Sequence, residues 1–278
     1  MDDSSIGFGV IGTGRMGLQI SQYLLENGFA VVLKTRDLAK EQSILDKLKI
    51  GMERHGFDAE SIQERLTIVD DFGPLSACTH IIESSAEDFS VKKSIFTKLS
   101  EICGPEHFVY TNTSSLSLKS LSQQYKYPGM LAGLHFFNPI FKMELAEIIG
   151  CEVTSERAIE EGRRIAILLK KVPVIVKDSP GFIVNRLLLP QINDAVRLYE
   201  NGIATVEDID SAVKLGLNHP MGPFALADLI GIDVCVAILD EIYAYTNDTH
   251  FLPVETLRRM VAEGRLGKKT GSGFYQYN

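Results

Sequence analysis

Gly12-Thr13-Gly14-Arg15-Met16-Gly17 stands between the apolar run Gly7–Ile11 and a segment with helical spacing. In a strand–turn–helix setting such a loop reads as a dinucleotide cradle. The first glycine makes the tight turn, the second lets backbone approach a pyrophosphate, and the third lets the helix pack on the strand. The phosphates would sit at the helix N-terminus, where free N–H groups and the dipole attract anions. An NAD-binding loop expects an acid for the ribose hydroxyls about 20 residues on. Here Val31-Val32-Leu33 runs into Lys34-Thr35-Arg36, and Thr35 holds the acid's place. A guanidinium welcomes a 2′-phosphate that a carboxylate would repel. The expected cofactor is therefore NADP(H), slightly favoured over NAD(H), with Arg36 as the main phosphate contact and Lys34 assisting. Two alternatives stand beside it. Asp37 could do the acid's work, although it is better placed as an N-cap for the next helix, or Arg36 could stack on adenine.

A second constellation lies further on. His135 ends an apolar strand, and Glu147 follows twelve residues later on the next one. With a period of two, Glu147 shares its face with Met143, Leu145 and Ile149. A carboxylate on so apolar a face is costly to bury unless paired, and the histidine offers a partner. Such a pair gives a base whose tautomer and imidazolium are held by the carboxylate, which suits removal of an alcohol proton. Asn112-Thr113-Ser114-Ser115-Leu116 follows the strand Phe108–Thr111, at the carboxyl end where such sheets bind ligands. Asn185 interrupts an apolar helix start. Ser114 and Asn185 read equally well as caps or turn residues.

The elements that must position these groups follow from the alternation of short apolar runs with longer amphipathic segments over the first 177 residues, the pattern of a mostly parallel sheet covered by helices. Strands are expected at Gly7–Ile11, Ala30–Lys34, His80–Glu83, Phe108–Thr111, Leu131–Phe136, Glu144–Ile149 and Val172–Val176. Helices are expected at Arg15–Asn27, Phe89–Cys103 and Glu156–Lys171, with a helical hairpin over Asp37–Arg65 broken at His55-Gly56-Phe57. After Lys177 the chain turns all-helical, through Phe182–Asn201, Thr205–Leu215, Phe224–Tyr245 with a break at Gly231, and Pro253–Glu263. The spacing predicts an α/β, doubly wound domain over 1–178 and a helical C-terminal domain over 179–278.

Composition sets the outer limits. With 278 residues, 45% of them hydrophobic and 23% charged, the chain is an ordinary globular protein long enough for two domains. A net charge of -8 gives no reason to expect nucleic acid as a partner. Cys78, Cys103, Cys151 and Cys235 are scattered without a C-x-x-C pair, which argues against a zinc site or a disulfide framework. The N-terminal stretch MDDSSIGFGVIG lacks a basic n-region and a long apolar run, and no apolar stretch reaches the roughly 20 residues that span a bilayer. The expectation is a cytoplasmic protein with no metal and no membrane partner.

Taken together, these segments resemble the 3-hydroxyacyl-CoA dehydrogenase family, from about Ile6 to the end. The carriers are Val10–Gly17, Asn112–Leu116, Gly133-Leu134-His135-Phe136-Phe137-Asn138-Pro139 and Pro180-Gly181-Phe182-Ile183-Val184-Asn185-Arg186. Glu207-Asp208-Ile209-Asp210, Asn218-His219-Pro220-Met221-Gly222-Pro223 and the tail Gly271-Ser272-Gly273-Phe274-Tyr275 follow in family order. The resemblance implies reversible hydride transfer between NAD(P) and C3 of a short-chain L-3-hydroxyacyl thioester of CoA. The alternative is the same chemistry on a 3-hydroxyacyl group borne by an acyl carrier protein. By position it makes His135 the catalytic base and Glu147 its orienting acid, and sets Ser114 and Asn185 on the reacting oxygen or the thioester carbonyl. Gly12, Gly14, Arg15, Met16, Gly17, Thr35 and Arg36 would hold the cofactor's phosphates and adenine half, while Glu87, Lys92 and Asn112 match positions near its nicotinamide half. A homodimer through the C-terminal domain is also implied. The joint presence of His135, Glu147, Ser114 and Asn185 argues against a non-catalytic protein that kept the fold. Two departures stand out besides Thr35. Glu144 occupies a place where lysine is typical, with Lys142 two residues away, and the hairpin is short, leaving Lys47, Lys49 and Arg54 as candidate CoA contacts.

Overall fold

The computed structural model describes residues 7–59, 62 and 64–277. The first half of the N-terminal stretch MDDSSIGFGVIG, and part of the second arm of the expected hairpin, lie outside the described residues. Two compact units divide the chain, Met1–Asp178 and Ser179–Asn278.

The first unit is built on a sheet that has eight strands among the described residues. The chain runs β1 (Gly7–Ile11), α1 (Arg15–Glu26), β2 (Ala30–Lys34), α2 (Glu41–Arg54), β3 (Leu66–Val69) and β4 (His80–Glu83). It continues through α3 (Phe89–Ile102), β5 (Phe108–Thr111), α4 (Leu118–Ser122), β6 (Leu131–Phe136), β7 (Leu145–Gly150), α5 (Glu156–Leu168) and β8 (Val172–Lys177). Their order across the sheet is β3-β2-β1-β4-β5-β6-β7-β8. Every neighbouring pair is parallel except β6 and β7, which run antiparallel. This is the expected doubly wound architecture, with the strand order reversing between β1 and β4. The central strands are continuous apolar runs because helices cover both faces. Phe8, Val10, Ile81, Ile82, Val109, Tyr110 and Leu134 are wholly buried, each side chain of this kind contributing about 1.5–3 kcal/mol. Asp88, Ser117 and Ser155 cap α3, α4 and α5 by accepting from backbone N–H groups, the serine caps being worth about 1 kcal/mol apiece.

Two expectations need correction. Among the described residues of Asp37–Arg65 the α-helix is α2, which stops at His55 and Gly56; those that follow it form turns and 3-10 geometry rather than a second α-helical arm. The chain then enters β3, a strand that the sequence pattern does not predict. It extends the sheet beyond β2, with the Val31 N–H already donating to the carbonyl of Arg65 at 2.7 Å.

The second unit is helical, as expected: α6 (Val184–Glu200), α7 (Val206–Gly216), α8 (Pro223–Ile230), α9 (Ile232–Thr246) and α10 (Glu255–Ala262). Gly231, at φ +109°, separates α8 from α9 where the sequence places a break. Leu189, Ile192, Phe224, Leu239, Ile242 and Leu257 form its core. The C-terminal tail is pinned by buried Asp228, which accepts from the N–H groups of Phe274 and Tyr275 and from the Tyr277 hydroxyl, each at 2.9 Å. Among the described residues no helix is long and apolar enough to cross a membrane.

Candidate active site

The groups singled out in the first unit come from one edge of the sheet, where the parallel strands end. Thr35 follows β2, Gly12 follows β1, Glu83 ends β4, Asn112 follows β5 and His135 stands one residue before the end of β6. With strands about 4.8 Å apart, the row from β2 to β6 spans about 19 Å.

At Gly12 the backbone takes φ +113°, and a Cβ would lie 2.4 Å from the carbonyl oxygen of Ser84. At Gly17 a Cβ would lie 2.0 Å from the Gly12 oxygen, so α1 can approach the turn only without a side chain there. Gly14 differs: its chain neighbours aside, no heavy atom of the described residues lies within 4 Å of where its Cβ would be. It is the N-cap of α1, with no side-chain cap and no acid in the first turn, which Arg15 and Met16 begin. The helix thus turns its unsatisfied N–H groups and the positive end of its dipole toward open space, the arrangement a pyrophosphate requires. The residues present fit a dinucleotide.

After β2, Thr35 is buried and its Oγ1 accepts from the Asp37 N–H at 3.3 Å. The Asp37 carboxylate accepts from Ala39 N–H at 3.1 Å and caps the 3-10 turn Leu38–Lys40. Arg36 is exposed and makes no side-chain hydrogen bond or ion pair with the described residues. Lys34 is buried instead, its ammonium 4.8 Å from the centre of the Phe72 ring. Burial lowers its pKa, with Asp70 pulling the other way. Lys34 is therefore turned onto Phe72, away from the assisting role expected of it.

A buried charge cluster occupies the ends of β4 and β5. Glu83, fully buried, accepts from the Lys92 ammonium at 2.8 and 3.0 Å and from Thr111 Oγ1 at 2.7 Å. Ser85 adds its N–H at 2.7 Å and its hydroxyl at 2.5 Å. Lys92, 1% exposed, also lies 3.5 Å from Glu87. Glu87 Oε1 accepts from Thr113 Oγ1 at 2.6 Å and from the N–H groups of Ser114 at 2.7 Å and Ser115 at 3.0 Å; the Ser114 hydroxyl lies 3.3 Å away. Burial alone would raise the Glu87 carboxyl, but Lys92 and these donors hold it below the usual range. Sequence motifs bring in Glu87, Lys92 and Ser114 but not Glu83. Its only signal is an acid ending the otherwise apolar strand His80-Ile81-Ile82-Glu83.

His135 and Glu147 are direct partners in the antiparallel register of β6 and β7. Imidazole Nδ1 lies 2.8 Å from Glu147 Oε2, with both residues buried. A carboxylate so placed accepts a hydrogen bond from Nδ1–H, which fixes the tautomer and makes Nε2 the basic nitrogen of the ring. Asn112 Oδ1 accepts from Phe136 N–H at 2.9 Å, tying the end of β5 to the strand end that carries His135. The loop that follows is held from two sides. Gln19 on α1 donates to Asn138 Oδ1 at 2.9 Å and accepts from Ile140 N–H at 3.0 Å. Buried Lys171 donates to the carbonyls of Ile140 at 2.5 Å and Met143 at 3.0 Å. Neither Gln19 nor Lys171 carries a motif signal. Glu144, in the lysine's place, is exposed.

The remaining candidates lie elsewhere. Lys47, Lys49 and Arg54 are on α2, with Lys47 and Arg54 exposed. Asn185 belongs to the second unit, half-buried in the first turn of α6.

Comparison with known proteins agrees with this geometry. The profile of the 3-hydroxyacyl-CoA dehydrogenase NAD-binding domain matches residues 7–179, and that of the 3-hydroxyacyl-CoA dehydrogenase C-terminal domain matches residues 181–277. The chain belongs to the 3-hydroxyacyl-CoA dehydrogenase family, a family of oxidoreductases with a dinucleotide-binding domain. It is 41% identical over 276 residues to a 3-hydroxybutyryl-CoA dehydrogenase of Clostridioides difficile, covering 97% of this chain and 98% of that protein. It is 39% identical over 286 residues to the human mitochondrial hydroxyacyl-coenzyme A dehydrogenase, covering 96% of this chain and 90% of that protein. A crystal structure of (S)-3-hydroxybutyryl-CoA dehydrogenase from Ralstonia eutropha matches with a TM-score of 0.94 at 34% identity, over 99% of this chain and 100% of that one.

Proposed function

We propose that this chain catalyses reversible hydride transfer between a nicotinamide dinucleotide and C3 of an L-3-hydroxyacyl-CoA/3-oxoacyl-CoA pair, with short acyl chains preferred. The observation that carries the proposal is the buried His135–Glu147 pair, placed on the same sheet edge as the open cradle of Gly12, Gly14 and Gly17. The names of the relatives support the short acyl chain and the CoA carrier.

The bound dinucleotide accepts the hydride in one direction and supplies it in the other. His135 Nε2 takes the C3 hydroxyl proton as the C3 hydrogen leaves with its electron pair, and Glu147 stabilises the imidazolium so formed. In the reverse direction the imidazolium returns that proton to the carbonyl oxygen. Ser114 and Asn185, assigned by their places in the motifs, hold the reacting oxygen or the thioester carbonyl. Thr35 brings no carboxylate to the adenosine ribose, Asp37 is occupied as a cap, and Arg36 is exposed beside them. That combination favours NADP(H) over NAD(H), with Arg36 on the 2′-phosphate. Two copies pair through the second unit, a reading supported by its exposed Leu187, Ile203 and Leu215.

Nicotinamide absorbance during turnover of acetoacetyl-CoA, with NADPH and NADH in parallel, tests the proposal. Turnover with the higher efficiency for NADPH is the expected result. Failure to turn over with either cofactor, in protein that binds one, would overturn the CoA carrier and move the substrate to a carrier protein. Higher efficiency with NADH would overturn the cofactor preference.

A further inference from the structure

The cluster at the ends of β4 and β5 holds two carboxylates, Glu83 and Glu87, around one ammonium, Lys92. Counted as ions, it carries one net negative charge. Among the described residues the cluster's other hydrogen-bond partners are uncharged. Thr111, Thr113, Ser114 and Ser115 contribute only neutral donors, and Asp88 turns its carboxylate to Ser90 and to Val91 N–H at the start of α3. The depressed Glu87 carboxyl agrees with its being ionised at neutral pH. The cluster also adjoins the glycine loop, since Ser84 N–H donates to Ile11 at 2.8 Å and Ser84 O faces Gly12. It lies between that loop and the strand of His135, where a dinucleotide that begins at β2 must bring its nicotinamide.

We propose that Glu83 determines how the site discriminates between the two redox forms of its cofactor, because it sets the net charge of this cluster at minus one. The inference rests on the dehydrogenase reading above. The oxidised nicotinamide ring carries a positive charge and the reduced ring none, while every other part of the two cofactors is the same. Contacts to phosphates, riboses and adenine therefore cancel in the ratio of the two dissociation constants, and the field of the cluster does not. Glu83 is too buried to touch a ligand. It acts through the ammonium it neutralises: with Glu83 in place, Lys92 presents no net cation to the ring and the charge of Glu87 stays uncompensated.

Binding of oxidised and reduced cofactor to substrate-free enzyme, followed by calorimetry, tests this for the wild type and three variants. Glu83→Gln brings the cluster to zero and should raise the ratio of oxidised to reduced dissociation constants about tenfold, from one unit charge at short range in a partly screened site. Glu87→Gln removes the same charge at a third-exposed position, and should raise the ratio alike. The double variant Glu83→Gln/Lys92→Met returns the cluster to minus one and should return the ratio to the wild-type value, which a loss of packing would not do. An unchanged ratio in Glu83→Gln overturns the inference, as does a double variant whose ratio stays raised. If Glu83→Gln fails to fold, an unchanged ratio in Glu87→Gln overturns it equally. Wild-type protein that binds neither form would instead overturn the dehydrogenase reading itself.

Discussion

His135 and Glu147 meet across the one antiparallel step of an otherwise parallel sheet, Nδ1 to Oε2 at 2.8 Å. The parallel strands β1, β4, β5 and β6 bring their ligand-binding ends to one edge. Reversing the next strand sets Glu147 in register with His135, within the buried layer rather than at the rim. The acid is therefore buried, paired, and placed behind the imidazole.

Glu147→Gln keeps the shape and a hydrogen-bonding oxygen but loses the charge that stabilises the imidazolium. The predicted result is a fall in kcat of about 10²- to 10⁴-fold. The dissociation constant of the cofactor should not change, since Glu147 is buried behind the histidine, away from the glycine loop. Steady-state kinetics beside cofactor titration checks this.

Gly14 and Gly17 should separate binding from folding. Gly17→Ala places a Cβ 2.0 Å from the Gly12 oxygen, a backbone atom that cannot yield cheaply. A loss of about 1–3 kcal/mol of stability is expected, read as a lowered denaturation midpoint. Gly14→Ala meets nothing. Its stability should stay within about 1 kcal/mol of the wild type, while cofactor affinity falls because the methyl group occupies the space open to phosphate.

Arg36→Glu replaces the exposed guanidinium beside Thr35 with a charge that repels a 2′-phosphate. Efficiency with NADPH should fall about 10²-fold, the scale of a lost charge-assisted hydrogen bond, while that with NADH stays within a few-fold. Full NADPH efficiency in this variant would remove Arg36 from the cofactor site.

His80 and Glu161 form a second histidine–acid pair, at the opposite end of the sheet from His135. Nε2 of His80 lies 2.7 Å from Glu161, and the ring stacks on Phe108. Burial pushes the His80 pKa below its usual value, against the pull of Glu161. The unfolded chain thus takes up a proton near the ordinary histidine pKa of 6.5 that the native state resists. Stability from this source is present above that pH and is lost as pH falls through it toward the native value. In His80→Gln, denaturation midpoints should depend less steeply on pH just below neutrality, by at most about 1.4 kcal/mol per pH unit. Glu161, whose pKa is also lowered, loses its contribution only further down, below its ordinary 4.5.

The parts of this design that are legible in the sequence are those carried by local pattern. The glycine loop announces itself by spacing, and the His135–Glu147 contact by a period-two strand with one unexplained acid. The helical second unit and its break at Gly231 follow from apolar periodicity and a single glycine. Strand β3 is not legible, because Leu66–Val69 is a four-residue, half-exposed edge strand following a polar stretch with helical periodicity. Glu83, the partner of Lys92, escapes for a different reason. Their ion pair crosses from a strand end over a loop to a helix, nine residues apart, a spacing that no helical or strand period marks. The same holds for Gln19 and Ile140, separated by 121 residues.

The most direct test is oxidation of L-3-hydroxybutyryl-CoA by wild-type enzyme and by His135→Asn, with cofactor binding measured on both. The wild type should turn over, and the variant should bind cofactor with unchanged affinity while losing at least about 10²-fold in kcat. A variant that keeps wild-type kcat, or a cofactor-bound wild type inert on the thioester, would contradict the assignment of His135 as the base of a hydroxyacyl-CoA dehydrogenase.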